Sequence, residues 1–199
     1  MVWQRAFKDK RAEIRAGAKT IPRGRVFTFA PYAMDIPFFL RKARRNRAPL
    51  TAFLQKLDHI VPEDMPRLVA EEDQKVWSHI DCTQCAHCCK TMTPTYTTAD
   101  LKRIAAHIGM TPQAMKEKWL KKDEHGDWVN RDTPCQFLQP DNRCGIYEVR
   151  PKDCAEFPHH NKQPFDAYNQ TFINNIIHCP ATYELVARLK KRVEAEYEW

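Results

Sequence analysis

The chain has 199 residues, which suits one domain or one domain with an extension, and it contains 5 glycines and 8 cysteines. So few glycines, with no glycine-rich phosphate loop among them, argue against a nucleotide-binding fold. There is no apolar run of membrane-spanning length and no apolar stretch of a signal peptide, so we expect a cytoplasmic protein whose thiols stay reduced.

The net charge of +7 is unevenly distributed. Residues 1–47 contain 13 Lys and Arg against 3 Asp and Glu, so the basic character belongs to this N-terminal arm. A basic arm of this kind docks on nucleic acid, anionic lipid or an acidic partner, or it is simply a solvated surface. The sequence contains no recognised nucleic-acid-binding module that would decide between these readings.

The first part of the chain predicts short helices. Residues 1–30 form a basic, partly helical arm with a short strand at 26–29, and residues 35–47 run from an apolar turn into a cationic helix end. A second helix is predicted from Leu50 to Ile60 and a third from about Asp64.

Further helices are predicted after the first cysteines, beginning at Thr98 and at Thr111-Pro112. The turn around Pro140-Asp141-Asn142 predicts a β-hairpin, which would bring Cys135 and Cys144 together and Cys154 beside them. Residues 157–171 are interpreted as a loop, with His159 and His160 at the surface, and residues 182–198 as an amphipathic helix.

The expected fold class is therefore α+β and mainly helical. A helical, basic N-terminal extension at residues 1–79 would precede a small metal-stapled domain at residues 80–199, which contains the short hairpin and the C-terminal helix.

Cysteine is the residue type that carries the chemistry. The segment from Cys82 to Cys89 has the spacing C-x2-C-x2-C-C, which an apolar core does not need and which neighbouring cysteines cannot easily turn into disulfides. Thiolates bind zinc and iron–sulfur clusters well. We therefore predict that the metal ligands are the eight cysteines Cys82, Cys85, Cys88, Cys89, Cys135, Cys144, Cys154 and Cys179.

Two partitions of the eight thiols are open. In one, Cys82, Cys85 and Cys88 join Cys179-Pro180 around a [4Fe–4S] cluster, because bacterial ferredoxins combine thiolates at this spacing with a Cys-Pro. The other four cysteines then form a second site. In the other partition the pairs mix, for example Cys82 and Cys85 with Cys135 and Cys144 around one zinc ion.

His87 and His178 adjoin the cysteines and could ligate, hydrogen-bond a sulfur or move a proton. The sequence contains no nucleophile elbow, no H-E-x-x-H helix and no evident carboxylate pair. If the protein is an enzyme, a metal centre must supply the chemistry.

Three blocks of sequence resemble the YkgJ-type cysteine-cluster (CxxCxxCC) family of zinc- or iron-chelating domains. They are the segment 82–89, the segment 134–154 with the specific pattern Ile146-Tyr147-Glu148-x-Arg150-Pro151-x-x-Cys154, and Cys179. The resemblance covers residues 80–182 and departs from the family at Ala155, where an arginine is common.

The resemblance implies a small metalloprotein, often described as an iron–sulfur oxidoreductase, with a redox or protein partner. Two alternatives stay open. One is a structural zinc module that presents the basic arm 1–47 to an acidic partner or to nucleic acid. The other is a protein lysine methylase that uses S-adenosylmethionine, since flagellin lysine methylases contain a similar motif.

Overall fold

The computed structural model describes residues 34–198. The arm expected at residues 1–30 and its strand at 26–29 lie outside the described residues. From residue 34 onward the chain is mainly helical, with a small antiparallel sheet, which confirms the predicted fold class. Its α-helices are α1 (Ile36–Leu57), α2 (Met65–Trp77), α3 (Cys82–Cys85), α4 (His87–Thr91), α5 (Thr98–His107), α6 (Pro112–Trp119), α7 (Lys152–Glu156), α8 (Asn169–Asn175) and α9 (Pro180–Glu196).

Three short strands form the sheet: β1 (Thr95–Tyr96), β2 (Leu120–Lys122) and β3 (Trp128–Asn130). Strand β3 lies between the other two, and both pairings are antiparallel. The hairpin predicted around residues 140–142 is not part of this sheet. That turn closes with a single bridge between Leu138 and Cys144, because only one residue pair around it aligns as strands do.

Helix α1 joins two segments that the sequence pattern separates. The Asp35 carboxylate accepts a hydrogen bond from the N–H of Phe38 at 2.8 Å and so caps the helix. Pro49 lies inside α1 and removes one helical hydrogen bond, yet the helix continues to Leu57. Packing overrides the proline, since the apolar stripe on both sides of it is buried: Phe39, Ala43, Leu50, Phe53, Leu54 and Leu57.

The described residues form two hydrophobic cores. The larger core unites α1, α2, α8 and α9, and Cys179 is one of its buried residues. The smaller core joins α5, α6 and the sheet through residues such as Ile104 and Met115, and Cys144 packs against it. Each core therefore contacts at least one of the candidate ligands.

Residues on both sides of the expected boundary at residue 79 contribute to the larger core. All eight cysteines come after residue 79. The boundary between a basic extension and a metal-binding domain therefore stays a prediction. Among residues 34–198, no helix combines the length and the apolar character that crossing a membrane requires.

Candidate metal centre

The cysteine-rich segment folds as two short helices with a sharp break between them. Asp81 caps α3, accepting the N–H of Thr83 at 2.8 Å. Ala86, in the left-handed region with a φ of 47°, separates α3 from α4. The segment is thus neither one continuous helix nor a plain loop. The break lets the four thiols point toward different neighbours.

Four thiols, which we call the first thiol set, lie together: Cys82, Cys85, Cys88 and Cys179. They line a small cavity of about 30 Å³ between α3, α4 and the start of α9. Although Cys82 is exposed as a residue, the protein packed around its sulfur raises the pKa of this thiol to about 12, and the neighbouring thiols of Cys179 and Cys85 contribute. Cys82 is therefore a thiol at neutral pH in the metal-free chain, and a metal would displace its proton.

The remaining four thiols form the second thiol set: Cys89, Cys135, Cys144 and Cys154. Every pair among them interacts electrostatically. The N–H of Cys135 donates to the carbonyl of Cys89 at 2.8 Å, which joins two cysteines that are far apart in the sequence. Cys144 comes close through the turn that ends at its bridge with Leu138.

Helix α7 brings Cys154 to the second set, and a buried carboxylate fixes where that helix begins. Asp100 caps α5 through Thr97 and also accepts the N–H of Lys152 at 3.1 Å. Arg103 donates to the Asp100 carboxylate at 2.5 Å and to the carbonyl of Arg150 at 2.9 Å. This network holds the segment before Cys154 against α5.

Cys88 and Cys89 stand where the two sets meet. Their sulfurs are 4.0 Å apart and share a hydrogen bond. That bond raises the pKa of Cys88 and lowers the pKa of Cys89 to about 7. The leading interactions of Cys88 beyond this pair are with Cys82 and Cys179. Cys89 acts on the pKa of each other thiol in the second set, and it also acts on Cys82 and Cys85 in the first set.

Backbone N–H groups favour the thiolate form of several of these cysteines. Burial raises the pKa of four of them, and in each case the N–H two residues later lowers it: His87 for Cys85, Phe137 for Cys135, Ile146 for Cys144 and Ala181 for Cys179. The Cys179 side chain makes no close capping hydrogen bond at the start of α9. Donors aimed at sulfur stabilise a thiolate, which is the form that binds metal.

A buried amide supports the second set in the same way. Asn130 Oδ1 accepts from the Tyr96 hydroxyl at 2.7 Å and from Gln136 at 3.1 Å. Its Nδ2 is buried and has no hydrogen-bond partner among the described residues. The Asn130 side chain nevertheless lowers the pKa of Cys135, so this donor faces the sulfur. A thiolate at Cys135 would satisfy it.

The donor chemistry fits a soft metal, because all eight cysteines are free thiols. Within residues 34–198 there is no group of three or more His, Cys, Asp or Glu side chains arranged to hold a single metal ion. Four thiolates on one zinc ion, with Zn–S of about 2.3 Å, would bring their sulfurs within about 4 Å of one another.

His87 and His178 both line the cavity of the first thiol set. Burial lowers the pKa of each imidazole. His178 lowers the pKa of His87 further, and Arg47 lowers the pKa of His178 further. Both are therefore neutral imidazoles at pH 7, a form that can ligate or donate to sulfur.

The interpretation of His159 and His160 as surface residues is wrong. His160 is 2% exposed, and His159 packs edge-on against Phe157 with only 14% of its side chain exposed. His160 Nδ1 lies 2.7 Å from the Asp73 carboxylate, and its Nε2 lies 3.1 Å from the Thr182 hydroxyl.

Thr182 connects this buried histidine to the first thiol set. Its side chain and its backbone N–H both lower the pKa of Cys179, whose burial raises it. A polar chain thus runs from Asp73 through His160 and Thr182 to a candidate ligand. Groups in this position orient ligands and tune a metal. The residues involved come from three distant parts of the sequence, so no local motif identifies them.

Comparison with family models identifies residues 81–172, just under half of the chain, as matching the CxxCxxCC family, described as "Putative zinc- or iron-chelating domain". The match confirms the family resemblance seen in the sequence. Neither the curated proteins nor the solved structures include a match to the chain.

Proposed function

We propose that this chain, which carries a CxxCxxCC domain over residues 81–172, uses it to hold two metal centres, at least one of them an iron–sulfur cluster. The first thiol set would bind a [4Fe–4S] cluster and the second set a further cluster or a zinc ion. The observation that supports the proposal is a set of eight free cysteines that interact with one another, several of them with backbone donors near the sulfur.

The sequence at the start of α9 favours a cluster over zinc in the first set. The Cys179-Pro180 junction resembles the cluster ligand of ferredoxins, in which a proline follows the cysteine.

The residues around the first set would tune such a centre. A bound cluster would supply one-electron chemistry. Cys179 is buried, and its sulfur faces the N–H groups of Ala181 and Thr182 at the start of α9. Donors to sulfur raise the potential of a cluster, while burial keeps water from it.

The identity of the metal can be tested on protein purified without oxygen. We expect iron and acid-labile sulfide in equal amounts and a broad visible absorption that bleaches on reduction with dithionite. Colourless protein that contains zinc and no iron would overturn the iron–sulfur proposal and leave the cysteines as a structural zinc module.

The charge on α1 favours a second function, the binding of an acidic partner beside the first centre. Arg41, Lys42, Arg44, Arg45 and Arg47 are exposed on this helix, and none forms an ion pair within the described part of the chain. Phe39 on the same helix packs edge-on against His87, with ring centroids 6.4 Å apart. The pKa of His178 is lowered mainly by burial and further by the charge of Arg47. The cations of α1 thus lie near His87 and His178, which are candidate ligands. An acidic electron-transfer partner that binds these cations would therefore be held close to the first centre.

Charge reversal tests this surface, with polyglutamate as the acidic probe. We expect Arg44→Glu/Arg45→Glu to weaken binding about tenfold at low ionic strength, and salt to weaken the wild type, because exposed charges are screened. Lys102→Glu/Lys121→Glu is the matched control, since it reverses two exposed cations on other elements. An equal loss in both variants would remove the assignment to α1.

A further inference from the structure

A cavity of about 350 Å³ opens between α8 and the segment that follows α4. Its volume is within the range of small-molecule sites in proteins. The wall includes Cys89, Cys135 and Cys154, so a ligand in the cavity lies beside the second thiol set. The wall residues that are not cysteines belong to neither thiol set, and two of them, on α8, lack the partners that their side chains need.

Asn175 is the unusual residue of this wall. It is 3% exposed, yet its side-chain amide forms no hydrogen bond within residues 34–198. Its backbone carbonyl, by contrast, accepts the N–H of Cys179 at 2.8 Å, which fixes the residue at the end of α8. Buried polar groups in native proteins are almost always paired with protein, water or a ligand. The partner of this amide is therefore a molecule that enters the cavity.

The Asn175 amide can be reached from the cavity. Three other buried polar atoms lack a partner among the described residues, and all three are sealed from solvent: Asn130 Nδ2, His159 Nδ1 and Asn169 Oδ1. The amide atoms of Asn175 are not among these sealed atoms, and the residue lines the cavity. The little surface that Asn175 retains is thus open to a ligand.

Thr171 gives the cavity a second unpaired polar group. It lies four residues before Asn175 on α8 and lines the same cavity, because residues four apart on a helix share a face. Its side chain is half-buried, and its hydroxyl has no hydrogen-bond partner in the part of the chain that the structure describes. Thr93, across the cavity, differs because its hydroxyl accepts the N–H of Asn130 at 2.6 Å.

The groups around the cavity favour a neutral ligand. Among the described residues no Lys or Arg lines it, so carboxylates and phosphates would find no counter-charge. The Asp153 carboxylate lines it but already accepts the N–H of Thr95 at 3.1 Å. Met92, Pro94 and Phe157 add apolar surface that suits a hydrocarbon body.

An asparagine amide presents an N–H donor and a C=O acceptor side by side in one plane. Another amide edge satisfies both at once, whichever way the asparagine is flipped. We propose that this cavity binds a small neutral primary carboxamide, which forms paired hydrogen bonds with the Asn175 amide while its apolar body packs on Met92 and Phe157. The Thr171 hydroxyl is a further hydrogen-bond partner. The contacts are to residues outside both thiol sets, so the inference goes beyond the proposed function and holds for either metal.

Benzamide and acetophenone are matched probes, because they have similar size and only benzamide carries N–H donors. An NMR titration that observes the ligand, on the full chain purified without oxygen, should show a benzamide dissociation constant of about 1 mM or below. Acetophenone should bind about tenfold more weakly, since it cannot donate to Asn175.

Asn175→Leu should weaken benzamide binding about tenfold, because it removes both hydrogen bonds of the amide pair. Leucine has nearly the same size and buries no unpaired amide, so this variant should stay folded. Asn174→Leu is the matched control, since it makes the same substitution at the exposed neighbouring position of α8, and it should bind as the wild type does.

Acetophenone or benzylamine binding as tightly as benzamide would overturn the inference, and so would the absence of benzamide binding. An equal loss in Asn174→Leu, or an unchanged affinity in Asn175→Leu, would do the same. Thr171→Val decides the matter if Asn175→Leu fails to fold. It removes only a hydroxyl and should weaken benzamide about threefold, and an unchanged affinity would then defeat the proposal. Metal analysis of the same samples tests the proposed function separately.

Discussion

Replacing Cys88 with serine is expected to abolish the first metal centre and leave the second, whereas replacing its neighbour Cys89 should do the reverse. The two residues are adjacent on α4, but their leading electrostatic neighbours differ. Cys88 interacts with Cys82 and Cys179 and not with the second set beyond Cys89, whereas Cys89 interacts with all three other thiols of the second set in addition to Cys82 and Cys85. Loss of one thiolate from a four-ligand site removes most of its affinity for the metal.

The measurement is metal content and visible spectrum of both variants, purified together with the wild type. Each variant serves as the other's control, because both replace a cysteine with serine at adjacent positions of α4. Because formation of a metal site is part of folding, each should also melt at a lower temperature than the wild type. Loss of all metal from both variants, or the same residual metal in both, would show that the eight thiols form a single assembly.

Replacing His160 with alanine is expected to lower the free energy of unfolding by about 3 kcal/mol. The ring is 2% exposed and packs edge-on against Phe172 at 6.0 Å between centroids. Its removal leaves a cavity and strands two partners, the carboxylate of Asp73 and the hydroxyl of Thr182. A buried carboxylate without a partner is costly.

For a chain of this length the loss corresponds to a fall in Tm on the order of 10 °C, which circular dichroism can follow. His160→Gln should recover part of it, because an amide can still donate to Asp73. His125→Ala, whose side chain is 77% exposed, should leave Tm nearly unchanged. A fall no larger in His160→Ala than in His125→Ala would contradict the structural role. A changed visible spectrum in His160→Ala would in addition support the connection through Thr182 to Cys179.

Local signals in the sequence predicted the regular elements well. The cap and proline at Thr111-Pro112 begin α6 where expected, and the apolar stripe of the C-terminal segment matches α9. They failed where packing outweighs local preference. The sequence pattern separates a cationic helix end at residues 35–47 from a helix that begins at Leu50, but the buried stripe on both sides of Pro49 keeps α1 continuous. The predicted hairpin reduces to one bridge because its two sides pair at only one position.

The candidate site was predictable in composition but not in arrangement. The sequence predicts the eight cysteines as ligands, which stays a prediction, and it leaves two partitions of them open. The polar network was missed for a different reason. His160 and Asp73 are 87 positions apart, and nothing near His160 in the sequence shows that a carboxylate faces it. A Pro- and His-rich segment predicts a surface loop, whereas its contacts with residues distant in the sequence bury His160.

Native mass spectrometry of the anaerobically purified chain tests the central claim most directly, because it counts and weighs the bound centres on each molecule. We expect a chain that carries two centres, one with the mass of a [4Fe–4S] cluster, and single-centre species from Cys88→Ser and Cys89→Ser that differ in which centre remains. A wild-type chain that binds only one metal ion or one cluster, with the other four thiols free to alkylation, would contradict it.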